Sequence, residues 1–356
     1  MQSLKGFDLK KLFKITPPAT IGLDVGSTAV KIVQLNRNGD KYKVVAACKS
    51  EIESGPESSG KTSDISLAKA ILDCYEKSGV QTRFAVCGIC GPEVAIRDFK
   101  FPMLPQDEIA GAVQLEAEQV CPFNVAESVV DYQIVPDDTD NLRGMLVAAA
   151  NKAVRHKAKI VKDASLNPVL MDVDGLALCN CFNECETSEP GNATAILNVG
   201  NMHTILAIVN SDSIPFIRDI SHSGNTIRSY IAEQTGISPE RVSRILFSGE
   251  ENIEIEYGFQ ECFELACQPL VDDVSGTLRY YTAQKKISCV EKVLVCGGFA
   301  LARGFADILA ERLTTFSCIW NPFEKMDVEQ GSEIGEFVQA HGCEMAVAAG
   351  LAMRSL

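Results

Sequence analysis

The pattern of apolar and polar residues occurs twice along the chain. Residues 21–35 contain two apolar segments separated by a short polar turn with a glycine, and residues 195–209 repeat this arrangement. Apolar segments on either side of such a turn are typical of β-hairpins. Because an internal repeat reflects the architecture of a fold, we expect two similar α/β halves that face each other across a cleft.

The turn of the first copy has the composition of a phosphate-binding loop. Gly26 lets the backbone approach a phosphate closely, and the amides and hydroxyls of Ser27 and Thr28 are donors for its oxygens. Asp24 is suited to hold a metal-bound water, and Lys31 adds a positive charge on the returning strand. An ordinary hairpin turn has a similar composition, so this turn alone leaves both interpretations open.

Two further turns suggest that the ligand of the first turn is a nucleotide. Asn198 and Gly200 occupy the matching positions of the second copy. Gly297 and Gly298 follow an apolar strand predicted over 292–296 and precede a helix predicted over 303–313, where a flat nucleoside would approach the backbone. The alternative for this last pair is a plain strand-to-helix turn.

Residues 93–165 are predicted to form a small inserted α/β subdomain. The pattern indicates strands over 94–100, 129–135 and 145–150 and helices over 106–119 and 152–164. Pro105 favours the start of the first helix, and Pro122 prevents its continuation. One face of this helix is apolar except for a glutamate, and its residues are Ile109, Ala112, Val113, Glu116, Ala117 and Val120.

The composition of the chain argues against several classes of function. The 356 residues carry 33 Lys and Arg against 47 Asp and Glu, a net charge of −14, which argues against an extended nucleic-acid footprint. The first 20 residues lack the apolar core of a signal peptide, and the sequence contains no apolar run of about 18 residues that would span a bilayer. We therefore expect a cytoplasmic protein whose membrane contact is peripheral only.

Segment 1–17 is basic, whereas the chain as a whole is acidic. Lys5, Lys10, Lys11 and Lys14 are accompanied within the first 14 residues by a single acidic residue, Asp8. Interleaved Leu and Phe residues are compatible with a short amphipathic helix that touches anionic lipid. A solvated, frayed terminus is the alternative.

The 14 cysteines are predicted to be reduced thiols. Cys87 and Cys90 have the spacing of a redox or zinc motif, and Cys179, Cys181 and Cys185 cluster in sequence, but a second CxxC pair is lacking. The four histidines form no ligand pair of known spacing. We therefore expect buried thiols and no metal site formed by the protein alone.

Three glycine turns in this order within duplicated halves resemble the actin-like ATPase superfamily. Within it, residues 91–97, 101–105, 114–123 and 130–133 resemble the PilM family of type IV pilus assembly, which is FtsA-like. The resemblance covers nearly all of residues 20–356 and is most specific over 93–168. It implies an α/β, actin-like (ribonuclease H-like) duplicated two-lobed fold with the inserted subdomain called 1C.

The resemblance also implies a division of the chain. The first lobe (1A) takes residues 18–92, 166–192 and 341–356, and subdomain 1C takes 93–165. The second lobe (2A) takes 193–235 and 290–340, and a subdomain 2B takes 236–289.

In the PilM family, 1C forms a groove for the cytoplasmic tail of PilN, a membrane-anchored partner. The resemblance therefore implies a scaffold of pilus assembly at the inner face of the inner membrane, with a PilN-like tail, other pilus platform proteins and a further copy of the chain as partners. We expect the groove beside the 106–119 helix, at Ile109, Val113, Glu116, Ala117 and Val120. The alternative for the glutamates of this helix is a solvated face.

The chain departs from the family pattern around the nucleotide. Asn198, Ser243 and Leu246 stand where the family has Asp, Glu and Lys, and a neutral amide supplies no negative charge to Mg²⁺. Asp174, which lies where this fold links its halves, is expected to face the phosphates. We therefore expect ATP or ADP with Mg²⁺ to bind and hydrolysis to be slow or absent.

Two other functions remain open at this stage. One is an active, polymerising switch ATPase of the FtsA type, and the other is a sugar or metabolite kinase. The inserted subdomain and the lack of a polar substrate set in the cleft argue against the kinase.

Overall fold

The computed structural model describes residues 19–53, 63–135, 141–187, 191–211, 213–248, 258–285 and 289–354. The expectation of an amphipathic helix in segment 1–17 falls outside these residues. Within them, no helix combines the length and the apolar composition needed to cross a membrane.

A five-stranded sheet forms the first lobe. Its strands lie in the order β3-β2-β1-β4-β8. Their bounds are Ile21–Val25 (β1), Ala29–Asn38 (β2), Lys41–Glu51 (β3), Phe84–Ile89 (β4) and Asn167–Val173 (β8). Strand β2 is antiparallel to both of its neighbours, β1 and β3, whereas β4 and β8 run parallel to β1.

The second lobe repeats this topology strand for strand. Its order is β11-β10-β9-β12-β13, again with an antiparallel hairpin at one side and parallel strands at the other. The bounds are Ala193–Val199 (β9), Thr204–Asn210 (β10), Phe216–Ile220 (β11), Val290–Cys296 (β12) and Phe316–Ile319 (β13). The predicted duplication is confirmed.

The inserted segment contributes a third sheet, which has the order β5-β7-β6. Its strands are Val94–Pro102 (β5), Ser128–Val135 (β6) and Asn141–Ala150 (β7), and helix α2 (Gln106–Val120) covers one face. Pro105 is the N-cap residue of α2, and acidic residues occupy its first turn, where they favour the positive end of the helix dipole. The predicted elements of this segment are all present, with bounds shifted by a few residues.

Helix α3 (Asn151–Asp163) connects the insert to the first lobe. Ile160 and Val161 are buried in the core of the first sheet, together with residues of α1 (Asp64–Ser78). The sequence assigned this helix to the inserted subdomain, but its packing makes it part of both units.

The carboxyl-terminal segment returns to the first lobe. Helix α10 (Ala346–Ala352) packs on β1 and on α4 (Asp174–Cys185). A Cβ atom on Gly350 would lie 1.8 Å from the carbonyl oxygen of Ala177, and one on Gly22 would lie 2.0 Å from that of Ala348. Only glycine allows backbones to approach this closely. The layer of α4 and α10 belongs to a core that also includes apolar residues of β10 and β12, so it joins the two lobes.

Helices α5 (Gly224–Thr235), α6 (Pro239–Phe247), α7 (Phe259–Lys285) and α8 (Phe305–Arg312) surround the second sheet. Helix α9 (Glu333–His341) instead contacts β3 of the first sheet. Buried residues of α6 and α7, which lie in the range 236–289 expected to form subdomain 2B, share one hydrophobic core with the second sheet.

Candidate functional site

The turn between β1 and β2 presents hydroxyls above a buried ion pair. Asp24 and Lys31 are cross-strand partners, and Lys31 Nζ lies 2.9 Å from Asp24 Oδ2. Burial favours the neutral amine, but the carboxylates of Asp24 and Glu344 outweigh this effect and raise the pKa of Lys31. Ser27 and Thr28 are exposed at the tip, where they are accessible to a ligand.

The turn between β9 and β10 has the same backbone geometry. Gly26 donates its N–H to the carbonyl of Ala29 at 3.0 Å, and Gly200 donates to that of His203 at 3.0 Å. Asn201 Nδ2 donates to Ser27 Oγ at 3.1 Å, so a hydrogen bond joins the two turns across the cleft. The structure thus brings the two predicted phosphate turns face to face.

The third turn packs directly on the second. Gly297 has a φ of +90°, and a Cβ atom there would lie 2.5 Å from the carbonyl oxygen of Val199 and 2.6 Å from Asn198 Oδ1. At Gly298 a Cβ atom would meet nothing closer than Glu344 Oε2 at 3.6 Å, so this residue borders open space. Gly297 is therefore required for packing, and Gly298 remains the candidate for contact with a nucleoside.

Ser243 and Leu246 of α6, which depart from the family pattern, have clear structural roles. Ser243 Oγ accepts a hydrogen bond of 2.7 Å from Arg228, which also donates to Asn201. Leu246 is buried in the core of the second lobe. Neither position offers a charged side chain to the cleft, whereas Arg228, which the sequence reasoning missed, brings a guanidinium next to the second turn.

Asp174 is a buried carboxylate at the start of α4. Its Oδ1 atom has no hydrogen-bond partner, and Gly88 leaves the space that this oxygen occupies. Burial and the neighbouring charge of Asp24 raise the pKa of Asp174 to about 6. The nearby Lys157 on α3 donates to the carbonyl of Val25 at 2.8 Å, which links the insert to the first phosphate turn.

Glu344 is a second buried acid that sequence reasoning did not identify. It is 4% exposed, and its carboxylate lies 3.0 Å from Lys49 Nζ and 2.8 Å from His341 Nδ1. These contacts tie β3 to the segment before α10. The available signal was a lone charged residue within the otherwise apolar run 342–352.

These groups fit a phosphate better than a catalytic magnesium site. Ser27 and Thr28 offer exposed hydroxyls, and the orphaned oxygen of Asp174 is a potential acceptor for a metal-bound water. In the second copy, the position that matches Asp24 carries the neutral amide of Asn198, whose Oδ1 lies 3.8 Å from Cys296 Sγ. Among the described residues, no three His, Cys, Asp or Glu side chains are arranged to hold a metal ion.

The cysteines are free thiols, most of them in apolar surroundings. Cys87 is buried, and burial raises its pKa to about 12. Cys90 is partly exposed, and burial of its thiol raises its pKa as well. Thiolate character is therefore suppressed at the CxxC pair.

A second cleft lies where the insert meets both lobes. It has a volume of about 510 Å³ and lies between β5 and β11, which are edge strands of their sheets. Its apolar lining includes Val94, Ile96, Ile205 and Ile217. The charged residues of its lining are Arg97, Arg218 and Asp219. This combination suits an extended peptide that has apolar side chains and a few polar anchors.

The groove expected beside α2 is not formed by the residues that the sequence indicated. Ile109, Val113 and Ala117 are at most 6% exposed and form the core between α2 and the three-stranded sheet. Their side chains are covered within the subdomain, because α2 uses its apolar face to close its own core. Glu116 and Val120 are partly exposed at the border of this core.

Comparisons with known proteins agree with this architecture. A family model described as "Type IV pilus assembly protein PilM" matches residues 22–356. A chain of a PilM–PilN type IV pilus biogenesis complex is similar, with a TM-score of 0.81, 24% sequence identity, and coverage of 95% of this chain and 99% of that one.

More distant matches share the fold. The ethanolamine utilization protein EutJ from Carboxydothermus hydrogenoformans has a TM-score of 0.53 at 12% identity, with coverage of 96% of this chain and 91% of that one. A glycerol dehydratase reactivase has a TM-score of 0.53 at 10% identity, with coverage of 94% and 99%. Together with the strand order, these matches confirm the actin-like two-lobed fold.

Proposed function

This chain belongs to the type IV pilus assembly protein PilM family, and we propose that it is a scaffold that docks the cytoplasmic tail of a PilN-like membrane protein in the cleft between β5 and β11. The observation that supports this proposal is the 510 Å³ cleft between β5 and β11, each of which is an edge strand of its sheet. Such a scaffold works at the cytoplasmic face of the inner membrane. Other pilus platform proteins and a further copy of the chain are its additional proposed partners.

The cleft offers three kinds of contact to a peptide. The outer edges of β5 and β11 provide backbone donors and acceptors for an added strand. Ile96 and Ile217 provide apolar surface, and the side chains of Arg97 and Asp219 provide charges of both signs that fix the register of the bound segment.

We further propose that the nucleotide cleft binds ATP or ADP weakly and hydrolyses ATP slowly, if at all. Ser27 and Thr28 donate to phosphate oxygens, and Lys31 is held in its charged form by Asp24. Bound Mg²⁺ would neutralise charge on the phosphates. The amide of Asn198 cannot hold this cation electrostatically as a carboxylate does, so transition-state stabilisation on the second lobe is lost.

The docking proposal is tested with the purified chain and a fluorescent peptide that carries the cytoplasmic tail of a PilN protein from the same organism. Ile217→Asp places a charge in the apolar lining of the cleft and is expected to weaken binding at least about tenfold. Leu115→Asp, on the exposed face of α2, is the matched control and is expected to leave binding unchanged. Equal binding by the folded Ile217→Asp variant would place the docking site elsewhere.

The nucleotide proposal is tested by titration calorimetry with ATP and Mg²⁺ and by phosphate release. The Asn198→Asp variant is expected to bind ATP·Mg²⁺ more tightly and to release phosphate faster than the native chain, because it restores a carboxylate. Asn38→Asp, at the exposed end of β2, is the control. Rapid turnover by the native chain, together with ATP-dependent filaments in sedimentation, would instead favour the FtsA-like polymerising ATPase.

A further inference from the structure

Two cysteines from different elements meet between the first sheet and helix α1. Cys48 lies on β3, the edge strand of this sheet, and Cys74 lies on α1. The Sγ atom of Cys74 is 3.5 Å from the carbonyl oxygen of Cys48, and the two thiols are hydrogen-bonded to each other. Both side chains pack in the hydrophobic core of the first lobe. The fold therefore holds two sulfur atoms in contact although they come from separate segments of the chain.

The surroundings of Cys48 favour a thiolate. Its thiol is partly exposed, whereas that of Cys74 is fully buried. The hydrogen bond from Cys74, together with the positive charge of Lys77, outweighs burial and lowers the pKa of Cys48 to about 7. Lys77 follows Cys74 by one turn of α1, and its Nζ atom lies 3.4 Å from Ser50 Oγ beside β3. Cys48 thus differs from the CxxC pair, at which burial suppresses the thiolate.

Cys74 has the opposite character. Its hydrogen bond to Cys48 and its burial raise its pKa, and its Sγ atom also lies 3.6 Å from the carbonyl oxygen of Val30. A buried, protonated thiol is inert toward oxidants in solution. Oxidation of Cys48 removes the neighbouring negative charge that opposes ionisation of Cys74. An accessible thiolate beside a second thiol that can attack its oxidised form is the arrangement of redox-sensing cysteines.

We propose that Cys48 and Cys74 form a reversible oxidation site, which reacts with a peroxide and closes a disulfide between β3 and α1. The contact between the two sulfur atoms supports this proposal, because a disulfide needs both cysteines within reach of each other. Disulfides in reducing compartments are usually transient and redox-sensing, so the site is compatible with thiols that are reduced at rest.

The reaction has two steps. The thiolate of Cys48 attacks one oxygen of hydrogen peroxide, so that an S–O bond forms and the O–O bond breaks. The leaving hydroxide takes up the proton that Cys48 released, which gives a sulfenic acid and water. The sulfur of Cys74 then attacks the sulfur of Cys48, the S–O bond breaks, and hydroxide leaves with the proton of Cys74 as water. Two thiols are oxidised, and one peroxide is reduced to two waters.

The site adjoins the strands that carry the first phosphate turn. Lys49, the residue after Cys48, forms the ion pair with Glu344, and the N–H of Ile52 donates to the carbonyl of Thr28 at 2.9 Å. A disulfide at Cys48 fixes α1 to this part of the first sheet. Neither cysteine lines the β5–β11 cleft, so the proposal is independent of peptide docking.

The test is treatment of the reduced, full chain with hydrogen peroxide at neutral pH, followed by alkylation of the remaining thiols, digestion with trypsin and mass spectrometry. Trypsin releases Cys48 in peptide 44–49 and Cys74 in peptide 70–77, and neither peptide contains another cysteine. We expect the two peptides to be joined by a disulfide and to separate again on treatment with dithiothreitol. A native chain in which these peptides stay unlinked would overturn the proposal.

Two variants separate the roles of the cysteines. In Cys74→Ser the sulfenic acid of Cys48 has no thiol to react with, so dimedone is expected to label Cys48 at least about tenfold more than in the native chain. Equal labelling in both chains contradicts the proposal, because Cys74 then takes no part in the reaction. Cys289→Ser, which removes an exposed thiol, is the matched control and is expected to leave the link between peptides 44–49 and 70–77 unchanged. Loss of the link in this control would assign the reaction to Cys289 and would also overturn the proposal.

Discussion

Single residues at the floor of the cleft are held in electrostatically costly environments. Asp174 is buried near the carboxylate of Asp24, and one of its oxygens lacks a hydrogen bond. A group of this kind lowers the stability of the folded protein whenever it is ionised. Its retention at the meeting point of the two lobes is consistent with a role toward a ligand rather than in folding.

Because ionised Asp174 destabilises the fold, we expect Asp174→Asn to raise the stability of the protein in a pH-dependent way. The pKa of Asp174 is about 6 in the folded chain and about 3.9 when unfolded, so the folded state binds more protons between these values. Stability from this group is thus lost as the pH rises through about 6. Urea unfolding should show the variant more stable by roughly 1–3 kcal/mol at pH 7.5.

The same two proteins compared at acid pH test whether the charge of Asp174 causes the difference in stability. Near pH 4 the native Asp174 is protonated when folded, so the two proteins should differ little. The exposed Asp40→Asn change, in the turn between β2 and β3, serves as the control and should alter stability at neither pH. A stability gain that persists unchanged at pH 4 would show that the carboxyl charge is not the cause.

At the scale of elements, α2 shows what an amphipathic pattern does and does not reveal. The apolar positions Ile109, Val113 and Ala117 were predicted to share one face, and they do. The pattern could not show that this face closes the core of its own subdomain, because periodicity identifies a buried face without identifying what covers it.

This packing predicts different effects for two substitutions on α2. Val113 is 1% exposed, so Val113→Ala should lower the free energy of unfolding by roughly 1–3 kcal/mol through lost burial and a residual cavity. Leu115 is 61% exposed, and Leu115→Ala should change stability by less than about 0.5 kcal/mol. Thermal unfolding of both variants measures the difference. Equal effects would mean that α2 does not pack on the sheet through Val113.

Most elements could be predicted from the sequence because their signals are local. The duplicated hairpins, the three glycine turns and the strands of the insert depend on apolar runs, turn residues and prolines near one another in the chain. The boundary between the inserted subdomain and the first lobe was harder to predict from the sequence. Ile160 and Val161 of α3 belong to the first lobe through contacts with residues remote in sequence, which no local pattern encodes.

At the scale of the whole molecule, the two lobes meet through few polar contacts at the phosphate turns. The hydrogen bond between Asn201 and Ser27 connects the turns directly, and Arg228 holds Asn201 in place. The sequence predicted two lobes that face each other across a cleft, each opening with an equivalent hairpin. It could not predict Arg228 or Lys49, because their partners Asn201 and Glu344 come from distant segments. Glu344 was missed although its position in an apolar run was a signal.

The bridge between the turns predicts a local effect of Ser27→Ala. Loss of the hydroxyl removes the acceptor for Asn201, so amide hydrogen exchange should become faster at residues 26–28 and 200–203, whereas global stability should fall by no more than about 1 kcal/mol. Thr28→Ala, on the same turn, is the control. Unchanged exchange in the Ser27→Ala variant would show that the bridge does not hold the cleft closed.

The close contact of α10 with β1 has a consequence for biosynthesis. A ribosome makes β1 well before the helix that covers one of its faces, because the insert and the second lobe lie between them in the chain. During elongation the nascent first lobe exposes an uncovered apolar surface while the insert and the second lobe are already available to fold. The lobe that contains β1 is therefore completed only after the second lobe has been made.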